Sequence, residues 1–247
     1  MISKTHTKYI QSLQHKKFRD ESGEFIAEGP KVVLELLAAG KFVCNEVFAE
    51  PGWLDENATL PGKYPATTFE VIQDFELEKI SALATPNKIL AVFKQWSSHA
   101  DIKPGGKITL ALDTIQDPGN MGTIIRIADW FAIENIVCSM GCADKYNPKV
   151  VQSTMGSLTR VNIVYTDLTA WLEKNSQVKI YAAALDGKNI KKVAPVKEGV
   201  IVIGNESKGI SDEVMALVNE KITIPKAGGA ESLNAAVAAG IILSQLT

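Results

Sequence analysis

Three short stretches in the second half of the chain combine glycine with asparagine and with charged or hydroxyl side chains. The first is Asn120-Met121-Gly122, with Arg126 six residues after Asn120. The second is Gly204-Asn205-Glu206-Ser207-Lys208-Gly209. The third runs from Ile224-Pro225 through Gly228-Gly229 to Ser232-Leu233-Asn234. Glycine opens backbone angles closed to other residues and lets a bound group approach the main chain. Serine and asparagine at the mouth of a helix converge with its free N–H groups. A guanidinium near strand ends can grip a phosphate or carboxylate with two parallel hydrogen bonds. One such loop is weak evidence, whereas three in one domain point to a single assembled site.

Each stretch also has a plainer reading. Arg126 and Asp129, three apart on a helix, could be an exposed pair worth a few tenths of a kcal/mol. Glu206 could pair with Lys208 or cap a helix. The run after Asn234 could be a capped core helix with Leu233, Val237 and Ile241 as its buried seam. Neither a P-loop nor a G-x-G-x-x-G turn is present, which argues against ordinary triphosphate or dinucleotide binding. No Ser-His-Asp set is legible.

The elements that must position these loops alternate regularly. Ile108 to Asp113 is an almost continuous apolar run, as expected of a strand buried on both faces of a parallel sheet. A breaker-dense turn at 116–122 precedes a helix from Thr123 to Phe131. Strands are predicted at 136–138, 161–165, 179–185, 199–204 and 221–224. Helices are predicted from Asn147-Pro148 to about Leu158, over 168–175, and from Ser211 to Asn219. The three loops then sit at strand ends, where ligands dock in open parallel sheets.

The first hundred residues read as a smaller α/β unit. Short strands are expected at 24–28, 43–49, 66–72 and 88–96. A helix opens at Pro30 and stops at Gly40. Pro51-Gly52 and Pro61-Gly62 mark turns. The first twenty residues carry Lys4, Lys8, Lys16, Lys17 and Arg19 against one acid, Asp20, and read either as a solvated terminal helix or as an arm contacting phosphates. Asp101 to Gly106, polar with one proline and two glycines, marks the junction. The resulting domains are 1–100 and 107–247, with 101–106 as linker.

Composition narrows the classes. The 247 residues are 46% hydrophobic with a net charge of −2, enough apolar material for a core and too little positive charge for an indiscriminate nucleic-acid coat. A local basic patch remains compatible with that balance. Three cysteines give no disulfide framework, and Cys138 and Cys142 lack the partners of a zinc site. No metal is expected. The polar N-terminus is no signal peptide, and no apolar run reaches the ~20 residues of a membrane span. A cytoplasmic protein is the expectation.

Taken together, Asn120-x-Gly122-x-x-x-Arg126, Ile203-Gly204-Asn205-Glu206-Ser207-Lys208-Gly209 and Ile224-Pro225 to Ser232-Leu233-Asn234 resemble the three ordered motifs of the SpoU (TrmH-type) RNA ribose 2′-O-methyltransferases of the SPOUT superfamily. The resemblance covers residues 108–247. More loosely, Lys16-Lys17-x-Arg19 and Phe25-Ile26-Ala27-Glu28-Gly29 look like the small RNA-binding domain many members carry. The chain departs from the common pattern at Ser207, where Gly is frequent, and at Ala235-Ala236, where Val-Ser is common.

The resemblance implies a parallel-sheet α/β domain with its tail threaded into a trefoil knot, against the general rule that folds are unknotted. It implies S-adenosylmethionine held mainly by main-chain groups, with contacts at Gly204, Ile224 and Leu233. It implies methyl transfer to a ribosomal or transfer RNA by a homodimer with its site near the subunit interface. The resemblance gives the position of Arg126 a part in removing the hydroxyl proton, but a guanidinium is a poor base, so Arg126 is expected instead to bind the target phosphate and stabilise the developing alkoxide. Asn120, Glu206, Ser232 and Asn234 would shape the pocket and orient the ribose. Lys16, Lys17 and Arg19 would contact the RNA backbone. The alternative is a non-catalytic RNA-binding factor that keeps the fold.

Overall fold

The first twenty residues fold as two helices rather than one. In the computed structural model, which describes residues 1–96 and 101–247, α1 (Lys4–Ser12) starts at Ser3, whose hydroxyl accepts the His6 N–H at 3.2 Å. Ile10 and Leu13 are fully buried, so this segment is not merely solvated. The chain turns, and α2 (Lys16–Ser22) follows. Arg19 closes that turn: its Nη1 donates to the carbonyls of Leu13 at 3.0 Å and Gln14 at 2.9 Å. These are carbonyls of the kind a helix end leaves without partners. The expected contact of Arg19 with an RNA backbone is therefore corrected, because at 1% exposure its guanidinium is out of reach of a phosphate. Lys16 and Lys17 remain exposed, one turn from Asp20 (2.6 Å) and Glu21 (3.9 Å).

Next come β1 (Glu24–Glu28), α3 (Pro30–Ala39) and β2 (Cys44–Ala49). The turns expected at 51–52 and 61–62 are short helices, α4 (Pro51–Glu56) and α5 (Leu60–Lys63), each with proline in the first turn where its missing N–H is no loss. β3 (Thr68–Val71), α6 (Asp74–Ile80) and β4 (Ile89–Lys94) complete a four-stranded sheet of order β1-β4-β2-β3. β4 runs antiparallel to both neighbours, and β2 and β3 are parallel. Ile10, Leu13, Ile26, Phe48, Leu77 and Leu90 fill its core.

The chain continues through β5 (Ile108–Asp113), α7 (Pro118–Trp130), β6 (Asn135–Ser139), α8 (Pro148–Thr154), β7 (Asn162–Thr166), α9 (Leu168–Lys174), β8 (Ile180–Asn189), β9 (Gly199–Gly204), α10 (Asp212–Met215), β10 (Glu220–Thr223) and α11 (Ala235–Leu246), and these six strands form the second sheet. The order of this second sheet is β10-β8-β9-β5-β6-β7, and every pair is parallel. From β5 the chain runs outward through β6 and β7, then returns to place β9 on the other side of β5. That reversal puts the β5 and β9 ends side by side, with Asp113 opposite Gly204. In open parallel sheets such a switch point leaves a crevice outside the strand ends.

Two helices differ from expectation in ways that matter for the site. α7 begins at Pro118, not Thr123, because the Asp117 carboxylate caps it by accepting the Asn120 N–H at 2.8 Å. Asn120 therefore lies in the first helical turn. α11 buries Ala235, Ala236, Ala239, Ile242, Leu243 and Leu246, while Leu233 and Val237 are 44% and 50% exposed. The expected seam of Leu233, Val237 and Ile241 is thus rotated away from the core. The alanine-rich face packs close against α7 and β9.

The described chain divides into two compact units, Met1–Ser97 with Tyr146–Thr159 and Ser98–Lys145 with Arg160–Thr247. α8 belongs to the first, where the Tyr146 hydroxyl donates to the Trp96 carbonyl at 2.9 Å. α8 stops at Thr154 rather than near Leu158 because Met155 and Gly156 turn left-handed. Residues 101–106, expected as linker, are tied to the second unit: Trp171 Nε1 donates to the Ile102 carbonyl at 3.2 Å, and the Gly106 N–H to Glu198 at 2.8 Å. Residues 97–100, the end of the expected first domain, lie outside the described residues.

Arg19→Ala leaves buried carbonyls without a donor and should lower stability by about 3 kcal/mol. Lys16→Ala and Lys17→Ala, which remove exposed pairs, should each change it by less than about 1 kcal/mol. Denaturant titration of the three variants measures both, and an unchanged Arg19→Ala midpoint would contradict the clasp role.

Candidate active site

A pocket of about 660 Å³ opens at the carboxyl ends of β8, β9 and β10. Small-molecule sites typically fall in the range of ~300–1,000 Å³. Its walls are mainly apolar: Ala183, Ala184 and Leu185 from β8, Ile203 from β9, Ile222 from β10, and Ala235, Ala238 and Ile242 from α11. β8 supplies its wall by a bulge. Ala182 pairs with Lys221 and Lys188 with Ile222, so residues 183–187 swing out of the ladder.

The loop after β9 folds on itself. Asn205 Oδ1 accepts the N–H groups of Ser207 (2.9 Å) and Lys208 (3.1 Å), and Asn205 and Gly209 exchange main-chain bonds at 3.0 and 2.9 Å. Gly204 has to be glycine for this reason. A Cβ there would stand 2.5 Å from the Gly209 carbonyl carbon and oxygen and 2.6 Å from the Ile210 nitrogen.

One side chain joins all three loops. Asn120 Nδ2 donates to Glu206 Oε1, and Asn120 Oδ1 accepts from Asn234 Nδ2 at 2.7 Å. The orientation follows from the helix cap. Asn234 Oδ1 accepts the N–H groups of Ala236 (3.0 Å) and Val237 (3.2 Å), which leaves Nδ2 to face Asn120. Asn120 must meet that donor with its oxygen, so its own amide NH₂ points to the carboxylate.

Of the site residues expected from sequence, Gly204, Glu206, Ile224, Ser232 and Leu233 line the pocket. Asn120 and Asn234 hold its mouth together. The Ser232 hydroxyl makes no hydrogen bond among the described residues. Arg126 is exposed, more than two turns into α7, and is not part of the pocket wall. It does not pair with Asp129, whose carboxylate instead accepts both bonds from Arg160 Nε, at 3.0 and 2.9 Å. Asn205 was not among the expected site residues, although an Asn within a Gly-Asn-Glu-Ser turn is the usual signal of such a self-bonded loop. The wall at Leu185 was also missed, where Asp186-Gly187 inside a strand run is the bulge signal.

The donor set suits a ligand held by main chain. Residues 225–233 make no backbone–backbone hydrogen bond among the described residues, so their N–H and C=O groups are open to a guest. Among the described residues, no group of three or more His, Cys, Asp or Glu could hold a metal ion, and no helix is long and apolar enough to cross a membrane.

Comparison with known proteins agrees with this geometry. Residues 107–244 match the SpoU rRNA methylase family, and residues 4–91 match the MRM3-like substrate binding domain. The chain belongs to the SpoU rRNA methylase family. A Bacillus subtilis relative, 23S rRNA (guanosine(2553)-2′-O)-methyltransferase, is 28% identical over 96% of this chain and 93% of its own. The S-adenosylmethionine-bound rRNA methyltransferase of Sinorhizobium meliloti superimposes with a TM-score of 0.86 at 30% identity, covering 100% of this chain and 96% of that one. A TrmH-family protein of Porphyromonas gingivalis superimposes at 0.87 with 32% identity, covering 100% and 98%. The parallel-sheet α/β architecture expected of the SPOUT superfamily is thus the one observed.

Two substitutions at Asn234 separate its roles. Asn234→Ala should lose the cap, about 1 kcal/mol of stability, together with affinity for S-adenosylmethionine, the ligand of the Sinorhizobium relative. Asn234→Asp keeps an oxygen for the cap but cannot donate to Asn120, so it should restore stability and not affinity. Thermal unfolding and calorimetry read the two separately, and full affinity in Asn234→Asp would contradict the link.

Proposed function

We propose that the chain is an S-adenosylmethionine-dependent RNA ribose 2′-O-methyltransferase acting on ribosomal or transfer RNA. The observation that carries this is the closure of three loops, through Asn120, Glu206 and Asn234, on one pocket with apolar walls and open main-chain groups. Gly204, Ile224 and Leu233 would hold the cofactor, with the main chain of 225–233 around it. When bound, S-adenosylmethionine supplies an activated methyl group. The protein's task is then mostly placement of the 2′-hydroxyl, which only RNA offers. Asn120, Glu206, Ser232 and Asn234 shape that end of the pocket and orient the ribose.

Arg126 is a poor base, since a guanidinium stays protonated well above neutral pH. Its part is to bind the target's phosphate and to stabilise charge developing on the ribose oxygen. Because Arg126 stands outside the pocket wall, the reading includes a homodimer with the site near the subunit interface. Trp130 on the same helix is 84% exposed, and Val237 on the packed helix α11 is 50% exposed, as expected of a surface that another protein covers. The tail of the second unit is read as threaded into a trefoil knot. The domains are read as 1–100 for RNA substrate binding, 101–106 as linker and 107–247 for catalysis, in a cytoplasmic protein. Lys16 and Lys17 are the proposed phosphate contacts. The reading as a non-catalytic RNA-binding factor is disfavoured by the intact Glu206–Asn120–Asn234 chain.

Arg126→Ala should reduce methyl transfer to RNA by about 100-fold or more, the usual loss when one group stabilising developing charge is removed, with S-adenosylmethionine affinity unchanged. Incorporation of labelled methyl into RNA, followed by mapping of 2′-O-methyl marks, measures this. A full-rate Arg126→Ala variant, or a wild-type chain that binds no S-adenosylmethionine, would overturn the reading.

A further inference from the structure

The carboxyl end of β5 carries a buried acid that the methyl-transfer chemistry does not use. Asp113 is 4% exposed. Its Oδ2 accepts both the N–H of Ser211 at 2.8 Å and the Ser211 hydroxyl at 2.7 Å. Its Oδ1 accepts from Thr114 Oγ1 at 3.0 Å. Ser211 is where the loop after β9 ends and α10 begins. Thr114 in turn reaches the start of that loop, since its carbonyl accepts from Asn205 Nδ2 at 3.0 Å. Asp113 thus holds both ends of the 205–211 segment, and it lies directly opposite Gly204 in the β5–β9 ladder.

Thr114 shows that this arrangement is specified rather than incidental. It adopts φ +57°, a left-handed conformation unfavourable for a β-branched residue. Such strain persists only where surrounding contacts determine it, and it clusters at functional sites. Here the contacts are the bonds to Asp113 and Asn205 and the Thr114 N–H donated to Ser139 Oγ at 2.9 Å.

We propose that Asp113 is a positioning residue for the methyl-donor pocket: acting through Ser211 and Thr114, it fixes the 205–211 loop so that the main chain at Gly204 meets the cofactor. This rests on the reading of the pocket as an S-adenosylmethionine site. Asp113 touches neither substrate nor cofactor. Its removal changes donor binding while RNA binding stays as it is.

The test compares Asp113→Ala, Asp113→Asn and Ser211→Ala in the full-length chain. S-adenosylmethionine affinity is measured by calorimetry, KM is measured for donor and for RNA separately, and melting temperature is recorded. Asp113→Ala should weaken donor binding and raise donor KM by about tenfold or more, equivalent to ~1.4 kcal/mol, with RNA KM within about twofold. Asp113→Asn should recover most of that affinity. Its oxygen still accepts both Ser211 donors, and its amide donates to the Thr114 hydroxyl, which rotates to accept. Ser211→Ala removes one bond and leaves the Ser211 N–H on Asp113, so it decides the matter if Asp113→Ala does not fold; about a threefold weaker donor affinity is expected, with a melting temperature lowered by only a few degrees. Donor affinity equal to wild type in folded Asp113→Ala or, failing that, in Ser211→Ala overturns the proposal. So do donor and RNA KM values that rise together. A wild-type chain without donor affinity would instead sink the functional reading on which the proposal stands.

Discussion

The site depends on one amide. Asn120 can donate on one side and accept on the other, and the structure uses both, toward Glu206 and toward Asn234. No carboxylate or hydroxyl of similar size offers both at fixed positions across a planar group. The amide's direction is set by the cap of α11, because the Asn234 oxygen is committed to the Ala236 and Val237 N–H groups. A local rule of helix termination therefore propagates across three loops that are 86 and 114 residues apart in sequence from Asn120.

The sheet brings those loops within reach of one another. Residues on β5, β9 and β10 are far apart in sequence, yet the strand order β10-β8-β9-β5 sets their carboxyl ends along one edge. α11 then returns from the β10 edge to pack on α7, which places Asn234 beside Asn120. Thin side chains on α11 allow that approach. The pocket is what remains between the β8 bulge, the self-bonded loop after β9 and the segment 225–233.

Much of this was legible in the residues. The continuous apolar run Ile108 to Asp113 identified a strand buried on both faces, and glycine with asparagine at strand ends located the loops. Other features depended on tertiary partners that local patterns do not encode. The start of α7 is set by the Asp117 cap and Pro118, which read equally well as turn residues. The buried face of α11 follows from its packing on α7 and β9, and the weak contrast between its alanines and its larger apolar residues allowed the seam to be placed at Leu233, Val237 and Ile241 instead. Arg19 sits in a cluster of positive charge, and only the carbonyls of Leu13 and Gln14 reveal that its guanidinium is inside. Asp113 falls at the end of the run Ile108 to Asp113 with no local sign of a partner, and Ser211 is 98 residues away.

A double-mutant cycle tests the central claim most directly, with Asn120→Ala, Glu206→Ala and the double variant compared by S-adenosylmethionine affinity. If one hydrogen-bonded chain closes the pocket, the losses are strongly non-additive, with the double variant no more than slightly worse than either single one and a coupling of about 1 kcal/mol or more. Losses that simply add would mean that the two loops act independently, and would contradict the account.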